Sequence, residues 1–249
     1  MTDNRLAEPA AHTAPGRSCP LHYRCAPTSF ARAAEAECET LYVVGGLYGN
    51  ESAPGSVLEM FDRETGRKRL VFNGDFNGFD VAPASFEAIN RGVHGDAESL
   101  AGWGFAQESL QARAHRQRVR AWFDAAQVDV FASSHTCAPV FHALPMAGRP
   151  LAPLVLNNGA AGMPNFRNDL AGLLTRISVR PFRGRERRYG DVRGAVHLDA
   201  IAIEIDSPTW QQSFLRQWPP GSDAHTSYSQ RITHGPACEP ADALVTSEA

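Results

Sequence analysis

Arg69-Leu70-Val71-Phe72-Asn73-Gly74-Asp75 is an apolar run of strand-forming residues that stops at a glycine and then presents a carboxylate. Open α/β sheets place ligand chemistry at the carboxyl ends of their strands, and a glycine there allows close approach. Asp and Gly also favour plain turns for backbone reasons, so the pair alone does not separate a site from a turn. Upstream, the β-rich Thr40-Leu41-Tyr42-Val43-Val44 runs into Gly45-Gly46-Leu47-Tyr48-Gly49-Asn50, a loop that must bend sharply. Residues 52–63 read as a helix: Pro54 sits in the first turn, where its missing N–H costs nothing, and Val57, Leu58 and Phe61 form an apolar face. Strand, helix and strand make a βαβ unit, so the two strands are expected to be parallel.

Downstream, residues 80–91 are weakly patterned, with a possible helical turn over 86–89, before Gly92-Val93-His94-Gly95-Asp96. Residues 104–126 give the clearest helical period, with Leu110, Val119, Trp122, Phe123 and Ala126 inward. That helix feeds a strand over 128–132 ending at Ser133-Ser134-His135-Thr136-Cys137, and a short strand over 154–156 ends at Asn157-Asn158-Gly159-Ala160-Ala161-Gly162. Residues 173–179 and 195–205 alternate as antiparallel strands joined by an arginine-rich turn over 180–193. A helix over 208–218 puts Trp210, Phe214 and Trp218 on one face, and the composition after Gly235 predicts disorder. The domain reading is an N-terminal arm over 1–39, a main domain over 40–205, and a C-terminal helix with a disordered tail over 206–249.

The chain of 249 residues is long enough to bury a substantial core. A net charge of −3 exerts no general pull on nucleic acid or anionic lipid, so neither is expected as a partner. Five scattered cysteines fit a reducing compartment, no apolar run is long enough to cross a bilayer, and the first forty residues lack a signal-peptide layout; a cytoplasmic location is expected. Cys19 and Cys25 flank His22, but their spacing matches no zinc pattern and reads as surface packing.

Five strand ends therefore carry polar or glycine-rich turns: Gly46/Tyr48, Asp75, His94, His135/Cys137 and Asn157/Asn158. Either histidine alone reads as an ordinary turn or core residue. A carboxylate, two imidazoles and a thiol delivered to one sheet edge make a metal site the functional reading.

In order and spacing these blocks resemble the calcineurin-like metallophosphoesterases, over roughly residues 40–180. That family's blocks run Asp-x-His, Gly-Asp, Gly-Asn-His, a lone His often followed by Gly, Gly-His-x-His, and an Asn-x-Gly-Ser turn. Gly74-Asp75 matches the second block, His94-Gly95 the fourth, Ser134-His135-Thr136-Cys137 the fifth, and 157–162 the closing turn. The resemblance implies an α/β fold of the four-layer α/β/β/α sandwich type and a phosphatase-class hydrolase acting on a small phosphoester. It also implies metal binding by Asp75, His94, His135 and Cys137, catalytic roles for Asp75 and His94, and substrate contacts from Asn158 and Gly159.

The departures are as specific as the matches. Gly46 and Tyr48 stand where the first block has Asp and His, and Cys137 replaces the last His. One of the family's two metal positions loses three of its four ligands by these changes. No Gly-Asn-His block lies between Asp75 and His94, so the fold is expected to be shortened in the middle, either as a natural compact form or through an internal deletion. The resemblance then implies a degenerate centre with one divalent ion, zinc, manganese or iron. Asp75, His94 and His135 would leave open positions for chemistry. With Cys137 as a fourth ligand the set would instead be closed, tetrahedral and structural. Cys137 as a nucleophile is a further reading without a marked base beside it. The alternative to hydrolysis is a catalytically inactive pseudoenzyme or binding protein that keeps the fold.

Overall fold

The computed structural model describes residues 27–76, 78–79, 113–134 and 136–245. His94, His135, the 1–18 arm, the Cys19 to Cys25 segment and the 86–89 turn lie outside the described residues. β1 (Thr40–Val44), α1 (Ser52–Asp62) and β2 (Lys68–Phe72) form the expected βαβ unit, with β1 and β2 parallel and in register from Thr40↔Lys68 to Val44↔Phe72. The side chain of Asn50 starts α1: its Oδ1 accepts from the Ser52 N–H at 3.1 Å and the Ser52 hydroxyl at 2.8 Å.

The remaining elements are α2 (Arg113–Ala126), β3 (Val130–Ser133), β4 (Val140–Ala143), β5 (Leu154–Asn157), β6 (Gly172–Ser178), β7 (Arg187–Arg193), β8 (Val196–Ile203), α3 (Ser207–Gln217), α4 (Asp223–His234) and β9 (Leu244–Val245). The described strands form two sheets, of order β2-β1-β6-β8-β7 and β3-β5-β4-β9. In the first, β1 pairs antiparallel with β6 on its other side; in the second, β3 and β5 are parallel.

Three apolar clusters set the layers. Ala53 and Val57 of α1 pack on Tyr42, Val44, Phe72, Leu174, Ile201 and Ile203, covering one face of the first sheet. The opposite face meets the second sheet through Leu173, Tyr189, Leu198 and Ala200 against Phe141, Leu154 and Leu156. Val119 and Phe123 of α2 close the far side of the second sheet over Val140, Leu144 and Val155. The architecture is thus α/β in four layers, helix, sheet, sheet, helix. Strands buried on both faces read as continuous apolar runs, as β5 does. Each fully buried side chain such as Phe123 contributes roughly 2 kcal/mol.

One layer holds charge. Arg176 of β6 is buried between Tyr42 and Asp199, its register partners on β1 and β8. Its Nη2 donates to Glu64 Oε2 at 3.1 Å and its Nη1 lies 3.6 Å from Asp199 Oδ2, while the Tyr42 hydroxyl donates to Glu64 at 3.0 Å. Burial alone would raise the Glu64 carboxyl; the Arg176 hydrogen bond outweighs it and holds Glu64 below its ordinary value.

Four expectations need correction. Half of the expected arginine-rich turn is the strand β7, because its arginines are held by partners: Arg187 Nε donates to Asp199 at 2.6 Å and Arg188 Nε to Asp169 at 2.7 Å. The segment after Gly235 is ordered through Val245: a 3-10 helix over Pro240–Ala243 leads into β9, which pairs parallel with β4. The strand expected from residue 128 begins at Val130. Finally, β4 and α4 carry no strong period and were not anticipated; α4 is set by its Ser222 N-cap, whose hydroxyl accepts from the His225 N–H, and by Gly235 at its end.

Candidate functional site

The chain leaves β1 through Gly45 and Gly46 and leaves β2 through Gly74, and backbone hydrogen bonds join the two exits. The Asp75 carbonyl accepts from the Leu47 N–H at 2.9 Å and the Tyr48 N–H at 3.1 Å, and Gly49 N–H donates to Phe76 at 2.9 Å. Asp75 is therefore held by its backbone while its side chain stays exposed. From the second sheet, the turn after β3 closes through a Cys137 N–H to Ser134 carbonyl bond of 2.8 Å, and Asn157 Nδ2 donates to Thr136 Oγ1 at 2.7 Å. The end of β5 is tied to the first sheet by Asn158, whose Nδ2 donates to the Val43 carbonyl at 2.9 Å. Ala161 and Gly162 both donate to the Gly46 carbonyl at 3.0 Å. Exits of β1, β2, β3 and β5 thus meet at one edge.

At the meeting point three side chains converge. The Tyr48 hydroxyl donates to Asp75 Oδ2 at 3.4 Å and also contacts Cys137 Sγ. A phenol has one proton, so Asp75 Oδ2 and Cys137 Sγ share it as alternative acceptors. Burial pushes the Cys137 thiol up, against the lowering pull of Tyr48 and Arg231. Burial, with Cys137 and Asp75 next to it, likewise pushes Tyr48 up. All three residues have left-handed backbones, with φ of 53° at Tyr48, 55° at Asp75 and 51° at Cys137. That conformation is uncommon outside glycine and collects at functional loops.

Gly46 is what admits the phenol. A Cβ built there would stand 2.3 Å from Tyr48 Cε2 and 3.0 Å from Asp75 Cβ, so the ring lies across the glycine toward the carboxylate. Behind the ring, Phe79 stacks at 6.2 Å, and Cys137 is embedded with Phe79, Met163, Trp210, Phe214 and Ile232. Arg231 of α4 braces the same turn, donating to the Cys137 carbonyl at 2.8 Å and the Pro164 carbonyl at 3.2 Å. Sequence reasoning missed Arg231 because α4 was not anticipated, and Phe79 because the segment around it is weakly patterned.

Of the residues expected to act, Asp75 and Cys137 are brought together, with Tyr48 between them. His94 and His135 lie outside the described residues. The Asn158 side chain, expected to touch substrate, is buried against Val43, and Gly159 is fixed through its N–H to Asn157 Oδ1 at 2.9 Å. Among the described residues no group of three or more His, Cys, Asp and Glu side chains could hold a metal ion.

Two buried oxygens at the edge have no hydrogen-bond partner among the described residues. Ser134 Oγ and Asn158 Oδ1 are buried without a hydrogen-bond partner among the described residues, while the side-chain atoms that lie over Gly45 are Ser134 Cβ and Asn158 Nδ2. Buried oxygens left unsatisfied by the chain are the donor type that hard and borderline cations and their water ligands take.

No family model and no curated protein matches the chain. Among solved structures it is similar to a metallophosphoesterase from Sphaerobacter thermophilus, at 13% identity, over 80% of this chain and 100% of that one, with a TM-score of 0.47. It is also similar to a conserved uncharacterized protein of Streptococcus pneumoniae TIGR4 described as a predicted phosphoesterase, at 13% identity, over 68% of this chain and 94% of that one, with a TM-score of 0.35.

Proposed function

We propose that this chain is a metal-dependent phosphoester hydrolase with a single-ion centre, in which Asp75, His94 and His135 hold one zinc, manganese or iron ion. When bound, the ion supplies Lewis acidity to a phosphoryl oxygen and acidifies a water. Asp75 supplies the negative charge and a fixed approach, because its carbonyl is anchored by Leu47 and Tyr48. His94 and His135 supply neutral nitrogen donors. Cys137 is left out of the ligand set because its thiol faces the Tyr48 hydroxyl. Asn158 holds the end of β5 to β1, and the backbone after it borders the substrate.

The observation that carries this reading is the carboxylate of the Gly74-Asp75 pair, at the exit of a parallel strand, meeting the turn that leads from β3. The test is hydrolysis of chromogenic phosphate monoesters and diesters by the full chain with added manganese. Turnover is expected in the wild type and a fall of about 10²-fold or more in Asp75→Asn and His94→Ala. Turnover that survives His94→Ala would remove this centre from the account.

A second reading, a non-catalytic binding protein with the same fold, is favoured by one observation. The Tyr48 ring fills the space over Gly46 that would otherwise open beside Asp75. Under that reading the wild type binds ion or phosphate without turnover.

A further inference from the structure

The ends of β3 and β5 opposite the candidate site border a cavity of about 590 Å³. Val130, Leu154, Val196 and Leu198 give it an apolar wall, and Leu151, 50% exposed, lines it as well. Leu154 and Leu198 belong to the cluster between the sheets, so the cavity reaches the inter-sheet layer. Its volume falls inside the roughly 300–1,000 Å³ of small-molecule sites. Two arginines also line it, in different states. Both terminal nitrogens of Arg149 are spent: Nη1 donates to the Val128 carbonyl at 2.8 Å and Asp129 Oδ1 at 3.2 Å, and Nη2 to the Phe123 carbonyl at 3.1 Å and Asp124 Oδ1 at 3.5 Å. Those bonds tie off the end of α2. Arg193 is not spent. Its Nη1 donates to the Ala152 carbonyl at 3.1 Å, and its Nε stands 2.8 Å from Asp191 Oδ2 as an ion pair. That buried Nε nevertheless has no hydrogen-bond partner among the described residues.

A buried guanidinium N–H without an acceptor is costly and marks where one belongs. The charge of that acceptor follows from the groups around it. The carboxylates of Asp124, Asp129 and Asp191 already match the guanidinium groups of Arg149 and Arg193, so a further anion meets repulsion there. A cationic head would set like charge against Arg193. We propose that this cavity is a second ligand site, for a neutral small molecule with an apolar body and one carbonyl acceptor, an amide or an ester. Arg193 takes the carbonyl, and the apolar body covers Leu151 and Val196. The site shares no residue with the edge that carries Asp75, so it stands apart from the ion reading.

The experiment titrates the full chain with octanamide and, separately, with octanoate and octylammonium, following the methyl signals of Leu151 and Val196 by NMR. Octanamide is expected to shift both sets of signals and to saturate, with each charged homologue binding about fivefold more weakly or worse. Arg193→Gln is expected to weaken octanamide about tenfold through loss of the charged donor. Leu151→Asp, at a half-exposed position, is expected to weaken it about fivefold through loss of apolar contact. Because Arg193 also holds the Ala152 carbonyl, the Leu151 variant keeps the test decisive should Arg193→Gln fail to fold. No saturable shift with octanamide overturns the proposal. So does octanoate binding more tightly than octanamide, which would make Arg193 an anion site. Unchanged octanamide affinity in either folded variant also overturns it, since the molecule would then sit elsewhere.

Discussion

Gly46 and Tyr48 are a mutually dependent pair, since the glycine exists to clear the ring and the ring fills what the glycine leaves. Gly46→Ala is expected to cost about 1–3 kcal/mol by overpacking. In a Tyr48→Ala background the nearest obstacle is gone and only the 3.0 Å approach to Asp75 Cβ remains, so the same substitution should cost clearly less when measured by chemical unfolding. Additive losses would mean the ring is not where the structure has it.

His142 carries a second prediction at this scale. It faces α2 from β4, is 1% exposed, and neither ring nitrogen has a hydrogen-bond partner among the described residues. Burial first, then Arg116 and Arg120, lowers it from 6.5 to about 4. The unfolded chain binds the proton near 6.5 and the folded chain only near 4, so stability is complete above 6.5 and falls as pH drops toward 4. The loss is on the order of 2–3 kcal/mol. His142→Leu should remove that dependence and be clearly more stable than wild type at about pH 5; parallel pH curves for both would contradict it.

Among the elements, the outer face of the first sheet depends on one buried cation. Arg176→Ala leaves Glu64 and Asp199 without it and is expected to cost about 3–5 kcal/mol in unfolding free energy. A loss below about 1 kcal/mol would show that water replaces the guanidinium. How much of the elements was legible follows the same distinction between apolar and charged partners. β1, α1, β2, α2, β5 and β6 were readable because apolar period or continuous apolar runs mark them. β7 was not, because Arg-Arg-Tyr-Gly-Asp-Val-Arg looks solvated until Asp199 and Asp169 are brought beside its arginines. β4 is four residues between a proline and a Leu-Pro pair, and β9 is two residues that become a strand only by pairing with β4. Local sequence cannot announce a strand whose reason is its neighbour. α4 did carry signals, the Ser222 cap and the Gly235 stop, but among its described residues only Ile232 is buried and the apolar period is faint.

Across the whole molecule, the candidate site exists because two sheets pack face to face with the exits of β1, β2, β3 and β5 at one edge. Asp75 could be singled out in the sequence because a glycine and a carboxylate follow an apolar run. The Tyr48 hydroxyl at its side could not, because that contact depends on left-handed turns at Tyr48, Asp75 and Cys137 that no local pattern demands. The convergence also explains why α3 and α4 matter to the site: their Trp210, Phe214 and Ile232 support the turn that presents Cys137. The single-ion centre is the central claim, and metal content tests it most directly. Elemental mass spectrometry of the chain purified without added metal, and again after reconstitution, should find about one zinc, manganese or iron per chain, lost in His94→Ala. No bound metal after reconstitution, or about two ions per chain, would contradict it.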